Sequence, residues 1–283
     1  MKIAASIFIG LAALSLQIEV VRAQGSLTPS APPGPTMLSL SQVEPRTPVD
    51  AIHTPGNGSV EFAITNAGSY YLTTNLFGVS GKGGIGIYTN NVTLDLNGYS
   101  LQGGAPGLMG IQAFSGTSNV IVQNGTISGW IQDGVYCVAY NGILQNLSVA
   151  GNQSSGLVLG NVGQIKNCTS SDNQFNGITV VANGCLVSGN VCNGNNQANI
   201  NGNGGIVVLD ANNRIENNHL TGNVGYGIEI PAESGTTNNI VVGNSVQGTN
   251  DYYYSTAQII GPIMTNNATG IITNSNPWAN FQF

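Results

Sequence analysis

Gly156-Leu157-Val158-Leu159 opens a phrase that runs through Ile165-Lys166-Asn167-Cys168-Thr169-Ser170-Ser171-Asp172-Asn173, and Gly177-Ile178-Thr179-Val180 opens the next. A Gly followed by an alternating apolar run also begins at Gly84, Gly110, Gly134, Gly205 and Gly227. The spacings along the set are 26, 24, 22, 21, 28 and 22 residues. A second phrase ends on Asn152, Asn173, Asn195 and Asn223, with spacings of 21, 22 and 28. Two independent markers therefore share a unit of about 22 residues, and a fixed period of this length is the mark of a solenoid. Each unit holds two or three short β-branched runs separated by Asn and Gly, which reads as strands and turns. Strands recurring at this interval fit coils stacked in parallel, each pairing with its neighbours. The fold expected is all-β, a parallel β-helix of about eight coils.

Alternation assigns faces, because successive side chains of a strand point oppositely. Ile85, Ile111, Val135, Leu157, Ile178, Ile206 and Ile228 form one inward column. Ile87, Ala113, Cys137, Leu159, Val180, Val208 and Ile230 form a second. The turn residues stack as well: Asn190, Asn218 and Asn244 at one corner, Asn152, Asn173, Asn195 and Asn223 at another. Stacked Asn side chains can hydrogen-bond along the column, as in other Asn ladders.

The 283 residues include 40 Gly and 37 Asn, all of the Asn after Gly56. Charged residues are 6%, yet 41% are hydrophobic, so the chain can bury a core and is not a disordered polar chain. Met1–Ala23 reads as a secretory signal peptide, with Lys2, an apolar run from Ile3 to Leu16, and Val21-Arg22-Ala23 before Gln24. Loss of Lys2, Glu19 and Arg22 leaves 4 basic and 11 acidic residues, a net charge of −7. So few cations exclude nucleic-acid binding and disfavour anionic membrane surfaces. The expected order is a signal peptide at 1–23, a Pro-rich leader at 24–58, the β-helix at 59–249 with 59–80 as its first cap, and a cap or tail at 250–283.

The chain resembles the exported right-handed parallel β-helix repeat proteins of bacteria, relatives by fold of the pectate lyases. The phrases that carry this are Glu44-Pro45-Arg46-Thr47-Pro48, Gly68-Ser69-Tyr70-Tyr71-Leu72, Val92-Thr93-Leu94-Asp95-Leu96-Asn97-Gly98 and the closing Asn276-Pro277-Trp278-Ala279-Asn280-Phe281, beside the repeats. The resemblance implies right-handed coiling, export and a link to polysaccharides.

An enzyme acting on a glycan needs charges on neighbouring coils, for a hydrolase two carboxylates some ~5–10 Å apart. Lys82, Lys166 and Arg214 are the basic residues of the coils. Lys166, Arg214, Glu216, His219 and Asp172 are the catalytic candidates. Against them stands the ordinary reading, in which scattered charges solvate a surface. The first strand's outward columns are Gly86, Gln112, Tyr136, Val158, Thr179, Val207, Glu229 and Tyr88, Phe114, Val138, Gly160, Val181, Leu209, Pro231. They point to a ligand-binding stripe with Tyr88, Phe114, Tyr136 and Glu229, since exposed apolar and aromatic patches mark interaction sites. Alternatively the leader or the tail from Tyr252-Tyr253-Tyr254 covers this stripe.

Asp95 fits a metal ligand less well than a cap for the Asn97-Gly98 turn. No metal-ligand spacing stands out, no cofactor is implied, and calcium enters only under the lyase reading. Cys137, Cys168, Cys185 and Cys192 are either small buried side chains or include one disulfide, Cys168–Cys192. The functional expectation is an exported scaffold for surface interaction or carbohydrate binding, with an extracellular polysaccharide or cell-surface component as partner. A polysaccharide lyase, epimerase or hydrolase, and a purely structural surface protein, are the alternatives.

Overall fold

The computed structural model describes residues 43–104, 107–232, 235–255, 257–265 and 275–283. The signal-peptide segment 1–23 and the leader up to residue 42 lie outside them. From residue 44 onward the described strands form one continuous parallel system wound in about eight coils. In one coil the strands are Leu157–Leu159, Gln164–Lys166 and Thr169–Ser171, and each belongs to a different face of the solenoid. The three faces are termed the first, second and third sheets.

The register follows the repeats. Val135 pairs with Leu157, Leu157 with Ile178, Ile178 with Ile206 and Ile206 with Ile228, all in parallel. The inward column from Ile85 to Ile228 is at most 1% exposed throughout. Each such side chain contributes roughly 1.5–3 kcal/mol of apolar burial, and like residues stack at the ~4.8 Å strand spacing.

The corners explain the abundance of Asn and Gly. Between the first and second sheets, Asn91, Asn119, Asn141, Val162, Gly184, Asn212 and Asn238 all have φ between 54° and 70°. Between the second and third, Asn124, Asn146, Asn167, Gly189, Asn217 and Gly243 repeat that geometry. Gly129, Gly151, Asp172, Gly194 and Gly222 do so at the return to the first sheet. One left-handed residue per corner bends the chain, and Gly and Asn adopt it at least cost.

The residue after each left-handed position faces the core, and at two of the three corners the buried amides donate to one another in stacks. In the first, Asn152 Nδ2 donates to Asn173 Oδ1 at 2.9 Å, Asn173 to Asn195 at 2.9 Å and Asn195 to Asn223 at 2.9 Å. In the second, Asn190 donates to Asn218 at 3.0 Å, Asn218 to Asn244 at 2.9 Å and Asn244 to Asn280 at 3.1 Å. The same Oδ1 atoms accept the preceding coil's backbone N–H, as for Asn152 N to Asn173 and Asn218 N to Asn244. Burial is tolerated because these groups are paired. The recurring strand-opening Gly follows from the first stack. A Cβ on Gly177 would lie 2.7 Å from Asn195 Nδ2, and one on Gly156 2.8 Å from Asn173 Nδ2. Towards the N-terminal end, buried Trp130 fills the same lane, and a Cβ on Gly84 would meet its ring at 3.0 Å.

Residues 59–80, read as a cap, carry Val60–Ile64, Gly68–Tyr71 and Leu76–Phe77, each paired to the next coil. The edge beyond them is occupied by 44–57. Thr47 and Pro48 pair with Tyr70 and Tyr71, and Pro55 bridges Phe62 antiparallel. Arg46 fixes this segment by contact with Glu44 at 2.8 Å, with Asp95 at 3.6 Å and with the Tyr71 ring at 4.6 Å. Tyr252–Tyr254 pair with Ile228–Ile230 and so prolong the first sheet rather than cover its stripe.

All four cysteines are free and buried. The Cys168–Cys192 disulfide is therefore absent: Cys192 stands opposite Ser170, and Cys168 Sγ faces the Lys166 carbonyl at 3.3 Å. Cys168 takes the position that Asn190 holds one coil on, and its N–H donates to Asn190 Oδ1 at 2.9 Å. No helix among the described residues is long and apolar enough to cross a membrane.

Candidate functional site

The outward columns of the first sheet have the register that alternation predicts: Gly86, Gln112, Tyr136, Val158, Thr179, Val207 and Glu229 are paired in sequence. Their exposure differs along the column. Gln112 and Tyr136 are half-buried, whereas Val158, Thr179, Val207 and Glu229 are buried. The connections from the third sheet fold back over this part of the face. Ser155 Oγ lies 3.2 Å from Thr179 Oγ1, and Asn176 Nδ2 donates to the same oxygen at 3.0 Å. Around Glu229 the cover comes from the stretched 28-residue unit: a Cβ on Gly202 would lie 3.9 Å from Glu229 Oε1. Glu229 is thus 4% exposed and not part of a surface stripe.

The parallel column, Tyr88 to Leu209, stays open. Tyr88, Val181 and Leu209 are each more than a third exposed. At its N-terminal end Tyr88 and Phe114 stack with ring centroids 4.4 Å apart and planes at 19°. They form one wall of a cleft of about 410 Å³, whose lining includes Asn57, Ser59, Leu108, Met109, Gln112 and Gln132. None of the lining residues carries a carboxylate or a basic group. Asn57 Nδ2 donates to the Tyr88 hydroxyl at 3.3 Å. Its Oδ1 accepts the N–H groups of Ser59 and Val60 at 2.8 and 3.0 Å, a local turn that brings the leader to the rim.

Of the four ligand-binding candidates, Tyr88 and Phe114 therefore meet in the cleft. Tyr136 lies one coil beyond Gln112 and outside the lining, and Glu229 lies further along the face. Sequence reasoning missed Asn57, Ser59 and Gln132. The first two reach the cleft only because the leader folds back, although Asn57-Gly58 is itself a turn signal. It also missed Asp133, whose Oδ1 accepts the Ser155 N–H at 2.9 Å. Burial pushes this carboxyl up, against the pull of hydrogen bonds from Ser154 and Ser155.

The catalytic candidates are spread over the coils. Lys166, Ser188 and Glu216 share one outward column of the second sheet, so Lys166 and Glu216 are two coils, ~10 Å, apart. Arg214 Nε donates to Glu216 Oε2, and Ser188 Oγ reaches Glu216 Oε1 at 3.5 Å. His219 lies on the third sheet beyond the Asn218 corner, with Nδ1 2.8 Å from Ser245 Oγ and its ring 5.9 Å from Phe283. Asp172 is an exposed corner residue with φ 54°, stacked between Gly151 and Gly194. Asp95 Oδ1 accepts the Asn97 N–H at 2.8 Å, the turn-capping arrangement. Among the described residues no three His, Cys, Asp or Glu side chains converge as a metal site would require.

These features define a right-handed parallel β-helix, and a solved structure shares that fold. The Dettilon tailspike protein superposes with a TM-score of 0.56 at 14% identity, over 79% of this chain and 50% of the tailspike. This chain thus spans half the tailspike's length. The A-module of the Azotobacter vinelandii mannuronan C-5 epimerase AlgE4 aligns at 15% identity and TM-score 0.43, over 76% of this chain and 90% of the module. The periplasmic alginate epimerase AlgG, as its T265N mutant, aligns at 13% and 0.39, over 78% and 75%. No family model and no curated protein sequence matches the chain.

Proposed function

We propose that the protein is an exported β-helix scaffold that binds an uncharged stretch of extracellular glycan in the Tyr88–Phe114 cleft. Export rests on the sequence pattern of Met1–Ala23. The observation that carries the binding reading is the cleft's composition: a stacked aromatic pair at one wall, amide side chains of Asn57, Gln112 and Gln132 around it, and no charged group in the lining. Aromatic surface supplies apolar contact for the carbon face of a sugar, and amides supply donors and acceptors for its hydroxyls. An acidic polymer would meet no cation there.

A glycan array with the mature protein, read for retention and for release of unsaturated or reducing ends, tests this. Retention of neutral glycans without product is expected. Phe114→Ala should weaken it about tenfold, a loss of roughly 1.4 kcal/mol. Product formation, or retention untouched by Phe114→Ala and Gln112→Ala, would overturn the reading.

A further inference from the structure

The second sheet carries another cleft near the C-terminal end, remote from Tyr88 and Phe114 in the coil order. It measures about 350 Å³ and is lined by Ile240, Val242, Ile259, Ile260 and Pro262, with Arg214 and Trp278. The chain order alone does not suggest it. Arg214, Ile240 and Ile259 occupy one outward column on successive coils, through the pairings Arg214–Ile240 and Ile240–Ile259. Trp278 comes from the closing segment, where its N–H donates to Asn276 Oδ1 at 2.9 Å and fixes the turn. The Arg214 guanidinium carbon lies 5.9 Å from the Trp278 ring centroid, a cation over an aromatic face.

Three properties of this cleft point to a ligand. Trp278 and Ile259 are each 56% exposed beside one another, although both are large and apolar. Arg214 is one of three basic residues in the coils, and it is the one charged residue of a lining that is apolar apart from Asn276. Its ion pair with Glu216 is made through Nε, so the two terminal amino groups are not spent on that contact. A guanidinium end of this kind matches a carboxylate in a bidentate arrangement. A phosphate dianion would call for a second cation, and Arg214 is the one cation of the lining. A neutral hydrocarbon would leave the cation unused.

We infer that the Arg214–Trp278 cleft binds a small carboxylate carried on a flat apolar body, an aromatic acid of about one ring. The carboxylate pairs with the terminal nitrogens of Arg214, and the ring lies between Trp278 and the Ile240–Ile259 floor. Glu216 positions Arg214 without occupying the cleft. The volume accommodates a ligand of about ten heavy atoms, for which a dissociation constant in the millimolar range follows from ordinary ligand efficiencies.

Calorimetric or ligand-observed NMR titration of the purified protein with phenylacetate, beside its neutral analogue phenylacetamide, tests the inference. Saturable binding of phenylacetate, at least about tenfold tighter than phenylacetamide, is expected. The double variant R214Q/E216Q, which removes the cation without stranding its partner, should lower phenylacetate binding to the phenylacetamide level. Trp278→Ala should weaken both ligands, and both variants should retain the parent melting temperature within a few degrees. Equal affinity for acid and amide, no saturable binding up to 50 mM, or binding indifferent to both variants would overturn it. Glycan retention at Tyr88 and Phe114 is read separately, so either site can fail alone.

Discussion

The backbone N–H of Trp130 donates to Oδ1 of Asn152 at 3.0 Å, so the buried amide stack that begins at Asn223 ends on the main chain of Trp130. The stack is directional: Asn173, Asn195 and Asn223 each accept two donors from the preceding coil's Asn at Oδ1, and Asn152, Asn173 and Asn195 each donate from Nδ2 to the Asn of the next coil. Asn173 shows what this requires. Its Oδ1 accepts Asn152 N and Nδ2 at 3.0 and 2.9 Å, while its Nδ2 donates to Asn195 Oδ1 and Ser170 Oγ.

Asn173→Leu keeps the volume and removes all four contacts. It leaves the buried backbone N–H and Nδ2 of Asn152 without their acceptor, each at about 1–3 kcal/mol, while Asn195 Oδ1 keeps the backbone N–H of residue 173. A loss of at least about 3 kcal/mol is expected, seen as a lower urea midpoint. An exposed corner change such as Asn146→Asp should cost much less.

Val162 is the β-branched member of a corner column whose neighbours are Asn141 and Gly184, and it is held at φ 54°. A branched Cβ is strained there by about 1–2 kcal/mol. Val162→Asn, which restores the residue type found at most corners, should raise the melting temperature. An unchanged or lower value would mean that Val162 packing outweighs the strain.

Asp133 has its carboxyl raised by burial. The native state therefore holds its proton to higher pH than the unfolded chain does. Its contribution to stability is intact below the ordinary Asp range and falls as pH rises through the raised native value. Asp133→Asn should be more stable than the parent at pH 7, and the advantage should vanish near pH 3. Thermal unfolding at the two pH values checks both the sign and the window.

The four thiols are buried, and burial pushes Cys137 to about 12 and Cys168 to about 11. Thiolate is the reactive form. An aromatic disulfide reagent at pH 8 should label none of them in the folded protein and all four in urea without reductant. Two labelled thiols in urea would reveal a disulfide.

The first-sheet register and inward columns were legible in the sequence because each strand is short and each coil repeats the last. Alternation then fixes both the face and the neighbour of every residue, as for Val135, Leu157 and Ile178. The Asn stacks were legible for the same reason, except for Asn280, which joins Asn244 only after a 36-residue excursion that breaks the period. The candidate sites were legible in part. Tyr88 and Phe114 fall in one column one coil apart, so their stacking follows from the period. Spacing does not say which stretched unit folds back over the sheet, and so the burial of Glu229 was hidden.

The sequence by itself determined the coil, its corners and its core, because local φ preferences, strand alternation and a fixed period all act within one unit or between adjacent units. Only the tertiary structure decided what covers the solenoid and what closes it. The leader at 44–57, the loop at 196–203 and Trp278 are placed by contacts between segments remote in sequence, with no period to forecast them. Those contacts shape both clefts, since Asn57 reaches Tyr88 and Trp278 reaches Arg214 across the coils rather than along them.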